Sequence, residues 1–266
     1  MPNHKYIDVH LHLEDGQFDN DRQNIIEQAN QAGIEYMLCN SAVEEDWQRT
    51  LELSNRYECV IPYLGIHPWA VEELSAGWEN RLLDTAAKTR CGIGETGLDR
   101  LLTKADFNLQ CDVLKKQIDI AVKLNRPVTI HCLKAYGRLL EIIKESVRLP
   151  AGSFIHSYSG SHEMIPEFVH SGIMFSYNGK ALDDSNRQYI ASIQATPLEN
   201  ILLETDSPFM MPAKMSCRVA GARNLPSNLP VFAKKIAEIK GISLETLTTA
   251  AYENAHKIVS LIMKSI

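Results

Sequence analysis

The sequence predicts an α/β fold, a closed (β/α)8 barrel built as one domain over residues 1–266, and three observations carry that prediction. Short apolar runs alternate with helix-like stretches along most of the chain. The length sits close to the roughly 250 residues that such a barrel needs, so no second domain is called for. No Gly-rich phosphate fingerprint follows the first strand, which argues against an open doubly wound sheet.

Taken in order, strands are expected at 6–11, 36–42, 60–66, 91–95, 127–132, 153–157, 173–177 and 201–205. Tyr6-Ile7-Asp8-Val9, Pro127-Val128-Thr129-Ile130 and Ile201-Leu202-Leu203 have the nearly continuous apolar character of buried parallel strands. Helices at 21–32, 44–56, 72–89, 105–124, 135–146, 161–170 and 184–194 fill the intervals, and two more near 227–239 and 243–263 close the chain. The clearest carries Phe107, Val113, Leu114, Ile118, Ala121 and Val122 mostly on one face at helical spacing. The longest irregular stretch, Ser207 to Pro230, leaves the eighth strand at the rim where the candidate ligands gather, and long loops inside compact domains are often functional.

Hydrophobic residues make up 45% of the chain and charged residues 23%, the composition of an ordered soluble protein. The formal charge of -6 gives no general attraction for nucleic acid or a membrane, so an anionic substrate has to be drawn by a local field. Cys39, Cys59, Cys91, Cys111, Cys132 and Cys217 show no CxxC spacing, and several lie in apolar runs, so buried thiols are expected in place of disulfides. The first residues, with His4-Lys5 and a strand carrying Asp8 and His10, lack the pattern of a signal peptide. No run reaches the roughly 18 apolar residues of a membrane span. A reducing, cytoplasmic setting without membrane attachment is expected, and no stable protein partner is inferable.

Six residues of the kinds that bind metals, His10, His12, Glu95, His131, His156 and Asp206, stand at or just past the ends of the apolar runs. In a barrel the strand exits converge on one rim. His10-Leu11-His12 ends the first strand, and period-two alternation points both imidazoles the same way. Asp8 shares that parity deeper in the barrel and is a candidate partner for an imidazole N–H. Glu95 lies among glycines in Gly92-Ile93-Gly94-Glu95-Thr96-Gly97-Leu98-Asp99, where a buried carboxylate needs a partner. His131 and His156 are single polar residues ending β-rich runs. Glu204 and Asp206 share a face by parity, and two adjacent acids repel unless a cation or proton lies between them. His67, in Gly65-Ile66-His67-Pro68, leaves the third strand at the same rim as a candidate substrate contact or proton donor. Taken singly, a core histidine, a turn histidine or a salt-bridged acid accounts for each. Together, five strands present His, Glu or Asp at one end, and that points to metal. His4, His162, His170 and His256 fall in ends or helices and read as solvent-facing.

On these residues the chain resembles the TatD family of metal-dependent deoxyribonucleases, within the amidohydrolase-like TIM barrels. The resemblance runs nearly end to end. It is carried by Asp8-Val9-His10-Leu11-His12, Gly65-Ile66-His67-Pro68, Gly92 to Asp99, Pro127 to His131, His156-Ser157-Tyr158-Ser159-Gly160, Glu204-Thr205-Asp206-Ser207-Pro208 and Arg223-Asn224-Leu225-Pro226. It implies two divalent metal ions, one held by His10, His12, Glu95 and Asp206 and the other by Glu95, His131 and His156, with Glu95 bridging. It also implies catalytic roles for Glu95 and Asp206, with Asp206 as general base. Mixed imidazole and carboxylate ligands suit Zn, Mn, Fe or Ni, whereas the family's activity is associated with Mg, so the identity of the ions stays open. The implied substrate is DNA, and because a narrow metal pocket at a barrel rim accepts a flexible strand end more readily than a duplex interior, exonucleolytic hydrolysis at single-stranded ends is expected.

Three departures from the family pattern touch substrate contacts. Where an Arg is usual two residues after the fifth-strand histidine, the chain reads His131-Cys132-Leu133-Lys134, leaving Lys134 as the nearby cation. The aromatic usual after Gly-Leu-Asp is replaced by Arg100, whose guanidinium can stack or bind phosphate. The familiar Asn-Glu-Pro reads Asn224-Leu225-Pro226, removing an acid. Arg100, Lys104, Lys134, Arg218 and Arg223 are the candidate phosphate contacts. The rival reading is an amidohydrolase-type esterase, lactonase or deacylase using the same metal pair, which an apolar pocket around Met210, Met211 and Met215 would favour. A binding protein without activity would be signalled by a missing ligand, and none is missing.

Overall fold

In the computed structural model, which describes residues 4–146, 148–216 and 223–265, the apolar runs become eight parallel strands paired in chain order. They are β1 (Tyr6–Leu11), β2 (Ile34–Asn40), β3 (Val60–Leu64), β4 (Gly92–Asp99), β5 (Val128–Leu133), β6 (Phe154–Ile155), β7 (Met174–Tyr177) and β8 (Ile201–Leu203). The helices are α1 (Arg22–Gln31), α2 (Glu44–Arg56), α3 (Trp78–Lys88), α4 (Phe107–Leu124), α5 (Tyr136–Glu145), α6 (Ile165–His170), α7 (Arg187–Ala195), α8 (Ala213–Ser216), α9 (Leu229–Lys240) and α10 (Leu244–Met263). Beyond the end of β8, Asp206 N donates to His10 O at 2.9 Å and His12 N to Ser207 O at 2.8 Å, which brings the two ends of the sheet together. The result is the expected eight-stranded barrel. Cys217 and Arg218 lie outside the described residues.

Several strands stop short of their expected ends because side chains take over the backbone donors there. Past β3, Ile66 N donates to Gln117 Oε1 at 2.8 Å. Past β6, Ser157 N donates to Ser176 Oγ at 3.2 Å, and past β8, Thr205 N donates to Asp8 Oδ1 at 2.9 Å. β2 is shifted two residues toward the N-terminus of its expected span. β4 errs the other way and runs on to Asp99, pairing Gly97 with His131 and Asp99 with Leu133. Gly97 permits this close approach: its φ is +155°, and a Cβ there would lie 1.9 Å from His131 O. Glu95 therefore sits inside β4, with four strand residues beyond it, and not at an exit.

The helix expected at 72–89 begins only at Trp78, because Gly77 adopts a left-handed φ of +80° and breaks the run. The preceding residues Pro68–Glu73 form a 3-10 turn instead. The segments expected as helix from 161 and 227 likewise begin with 3-10 turns, over His162–Met164 and Pro226–Asn228. The helix expected from 184 starts at Arg187, where the Asn186 side chain caps Tyr189 N.

α4 does more than present an apolar stripe. Gln110 and Gln117, seven residues apart and so on one helical face, are both buried and both point at the sheet. Gln110 Oε1 accepts from Asp99 N at 2.8 Å, and its Nε2 donates to Asp99 O at 3.2 Å. Gln117 Nε2 donates to Ile66 O at 3.0 Å and to Thr96 Oγ1 at 2.5 Å. These amides fix the exits of β3 and β4, where His67 and Asp99 stand. On another flank, Ile7, Val9, Leu38 and Leu202 of the sheet cluster with Ala255, Ile258, Val259 and Ile262 of α10. Among the described residues, no helix is long and apolar enough to cross a membrane.

Candidate metal centre

Glu95 stands at the centre of the site, 3% exposed, and its two oxygens face different neighbours. Oε2 lies 3.3 Å from His10 Nε2 and 3.5 Å from His12 Nε2, and Asp206 Oδ1 lies 3.8 and 3.6 Å from the same two nitrogens. Oε1 lies 3.0 Å from His156 Nε2, 3.1 Å from His131 Nδ1 and 3.4 Å from His67 Nε2. The two imidazoles of the His10-Leu11-His12 motif thus turn to one oxygen, and those of β5 and β6 to the other.

The outer partners decide which nitrogen of each ring is free. His12 Nδ1 lies 2.7 Å from Asn40 O, which can only accept, so in the neutral ring the proton is on Nδ1 and the Nε2 lone pair faces Glu95. His131 Nε2 lies 3.3 Å from Asp99 Oδ2, which leaves the Nδ1 lone pair facing inward. His67 is the opposite case. Its Nδ1 accepts from Trp69 N at 3.2 Å, so the neutral ring carries its proton on Nε2. Distance alone would group His67 with Glu95 and His131 as donors to one ion, but this tautomer makes His67 a hydrogen-bond donor toward Glu95. His10 Nε2 is buried with no hydrogen-bond partner.

Asp8 does not reach an imidazole N–H as expected. Its oxygens accept from Thr205 N at 2.9 Å and Thr205 Oγ1 at 2.6 Å, tying β1 to the segment that carries Asp206. The parity argument for Glu204 and Asp206 lapses because β8 ends at Leu203 and Asp206 adopts a φ of +59°. Asp206 turns to His10 and His12, whereas Glu204 accepts from Ser176 Oγ and, at 2.9 Å, from Asn178 Nδ2, with His156 Nδ1 3.7 Å away.

The charges in the cluster oppose burial. Burial pushes the Glu95 carboxyl up, yet the imidazoles of His156, His67 and His10 more than offset it and hold it well below the usual range. Burial likewise raises Asp206, and His12, His10 and His156 bring it below its ordinary value. Burial lowers His10, with His156 adding to the effect, and drops His67 to about 4. Burial also acts to lower His12, His131 and His156, but their carboxylates prevail. Asp206 and Glu14 raise His12 well above its ordinary value, Asp99 and Glu95 raise His131, and Glu95 and Glu204 raise His156 to about 10.

The expected phosphate contacts are dispersed. Arg100 lies over the Phe107 ring, 3.9 Å from its centroid, and Lys134 and Lys104 stand exposed. Arg223 is engaged with Gln17 O and the Asp21 carboxylate and covers the Phe18 ring. Of the methionines, Met215 packs on the core and Met210 is exposed. A cation that the motifs do not mark, Lys180, faces the acids. Its Nζ donates to Ser157 Oγ at 2.9 Å, and burial lowers it while Asp206 and Glu204 act to raise it. Asp99 was also missed, although it has the parity of Glu95 along β4.

A family model described as TatD related DNase matches residues 7–260. The chain is 31% identical over 262 residues to a Pantoea ananatis protein named 3'-5' ssDNA/RNA exonuclease TatD, with 96% of this chain and 100% of the relative covered. It is 28% identical over 255 residues to the uncharacterized metal-dependent hydrolase YabD of Bacillus subtilis, with 95% and 98% covered. The crystal structure of YJJV, a TatD homologue from Escherichia coli, superposes with a TM-score of 0.89 at 24% identity, over 96% of this chain and 98% of that one. That last likeness is one of fold.

Proposed function

Because the chain belongs to the TatD-related DNase family, we propose that it hydrolyses DNA phosphodiester bonds from single-stranded ends with a pair of divalent ions. The observation that carries this reading is the division of Glu95, whose Oε2 faces His10 and His12 and whose Oε1 faces His131 and His156. We assign His10, His12, Glu95 and Asp206 to one ion and Glu95, His131 and His156 to the other. The donor set fits such ions: once neutral, His12 and His131 turn a lone pair inward, because their other nitrogens face Asn40 O and Asp99 Oδ2, and buried His10 Nε2 has no hydrogen-bond partner. Mixed nitrogen and oxygen donors suit Zn, Mn, Fe or Ni as well as Mg.

When bound by these groups, divalent ions would supply acidity to an attacking water and charge stabilisation to a phosphoryl oxygen. Asp206 stays ionised at neutral pH and is placed to accept the water's proton. His67, neutral with its proton on Nε2, turns that N–H to Glu95 Oε1 and so orients the shared carboxylate in place of general-acid chemistry. Lys180 supplies the positive charge near the acids that the Leu133 departure removes. Arg100 and Lys134 add outer contacts, and Arg223 serves mainly to hold its loop against Asp21. The free described cysteines, most of them buried, agree with a cytoplasmic setting.

The test is a metal-loaded preparation given single-stranded, duplex and circular DNA beside esters, amides and lactones. Cleavage of single-stranded ends is expected. Hydrolysis of a carbonyl substrate with no cleavage of any DNA would overturn the reading in favour of an esterase, lactonase or deacylase.

A further inference from the structure

The 3-10 turn after β3 buries Pro68, Ala70 and Val71 but turns its largest apolar side chain outward: Trp69 is 52% exposed. The other two tryptophans, Trp47 and Trp78, are each 5% exposed. Leaving an indole in water forgoes the burial that usually stabilises it, and this one is held in a defined place. Its backbone N–H donates to His67 Nδ1 at 3.2 Å, and its ring lies 4.3 Å from the His67 ring at 49°. A second ring is placed in the same way on the other side of Glu95. Phe209 follows the buried Ser207 and Pro208, is 39% exposed, and sets its edge against His12 at 5.5 Å. His67 and His12 contact different oxygens of Glu95, so two exposed aromatic rings flank the proposed metal pair.

We infer that Trp69, with Phe209 opposite, forms a stacking subsite for the nucleobases on either side of the scissile phosphate. The inference rests on the nuclease reading and adds the feature that would distinguish a nucleic-acid strand from a bare phosphodiester. Every base has a π-face, so stacking is tolerant of sequence, and it needs bases that are not held in a duplex stack. The chain's acidity makes this contribution more important: with a formal charge of -6, long-range attraction to the backbone is weak. An aromatic platform gives affinity without positive charge.

The experiment uses the metal-loaded protein and a phosphorothioate-linked single-stranded oligonucleotide, with an abasic oligonucleotide of equal length beside it. As the one exposed tryptophan, Trp69 should lose fluorescence when bases stack on it, and the abasic strand should leave its emission nearly unchanged. Alanine substitution of a stacking residue should weaken binding by about 5- to 100-fold. Trp69→Ala is therefore expected to raise KM for an ordinary oligonucleotide by that factor with kcat nearly constant, Trp69→Phe should recover most of it, and Phe209→Ala should show a smaller effect. Affinity for the abasic strand should be the same in wild type and Trp69→Ala. Equal weakening toward both strands would mean that Trp69 acts through His67, and would overturn the subsite. So would unchanged KM in Trp69→Ala with DNA still cleaved, which leaves the nuclease reading standing. Failure of the wild type to bind or cleave either strand would remove both.

Discussion

Loading the metal-free protein at pH 7 should expel protons, because three of the proposed ligands are held above their ordinary pKa by the carboxylates they face. Carboxylates raise His12, His131 and His156 against the effect of burial, His156 to about 10. A ring can ligate only through a lone pair, so each of these must lose a proton when an ion arrives. For His156 the group lies three units above pH 7, and at about 1.4 kcal/mol per unit its deprotonation costs about 4 kcal/mol. His10 and His67 are shifted down and contribute nothing at this pH. His156 alone accounts for about one proton, and the upward-shifted His12 and His131 add to it, so the filled site should release more than one proton and the product of the two binding constants should rise by more than about tenfold per pH unit between pH 6 and 8. The sign is fixed: affinity increases with pH. Titration of metal into lightly buffered protein with a pH indicator counts the protons, and calorimetry in two buffers of different ionisation enthalpy checks the count. His156→Ala should release about one fewer. Release of less than one proton, with affinity flat across that range, would show that these imidazoles are not the ligands.

The remaining predictions concern single side chains. Glu95→Ala should abolish binding of both ions, whereas His131→Ala should keep the ion assigned to His10 and His12; metal analysis per chain decides, and two ions bound by Glu95→Ala would refute the bridge. Asp206→Asn should lower turnover by about 10²- to 10⁴-fold at full metal occupancy, and Glu204→Gln by less; equal losses would remove Asp206 from its role. Burial pushes the Asp8 carboxyl up to about 8, against the lowering effect of its Thr205 bonds. Its folded pKa thus exceeds the unfolded one, so its stabilising contribution is full below about pH 4 and is lost as pH rises to about 8. Urea denaturation of the metal-free protein should show wild type losing up to about 4 kcal/mol relative to Asp8→Asn between pH 5 and 8, and a constant difference would refute the assignment.

That the six proposed ligands come together was legible because each interrupts an apolar run, and parallel strands must bring such interruptions to one end. His10 and His12 needed only alternation along a single strand. What the sequence hid depends on partners far away in the chain. Asn40 supplies a carbonyl to His12 across 28 residues, and carbonyls leave no mark on sequence. Asp99 escaped because β4 was expected to end at 95; glycines read as strand breakers, yet here they let β4 lie close against β5. Arg223 looked free for phosphate until the loop brought it to Asp21. Lys180 lies in the short 3-10 turn after β7 and carries no motif, and only the folded barrel puts it beside Ser157 and the acids.

The two glutamines of α4 hold the mouth of the barrel with groups that neither gain nor lose a proton in ordinary conditions. The centre they surround is a dense set of titrating groups whose net charge changes with every ion and every proton. Amide-to-backbone ties are indifferent to those changes, so the frame around His67 and Asp99 is insulated from the electrical history of the site. Ions can then be exchanged, or one metal substituted for another, as a local event on a standing scaffold. A chelated preparation should keep its shape and wait for reloading.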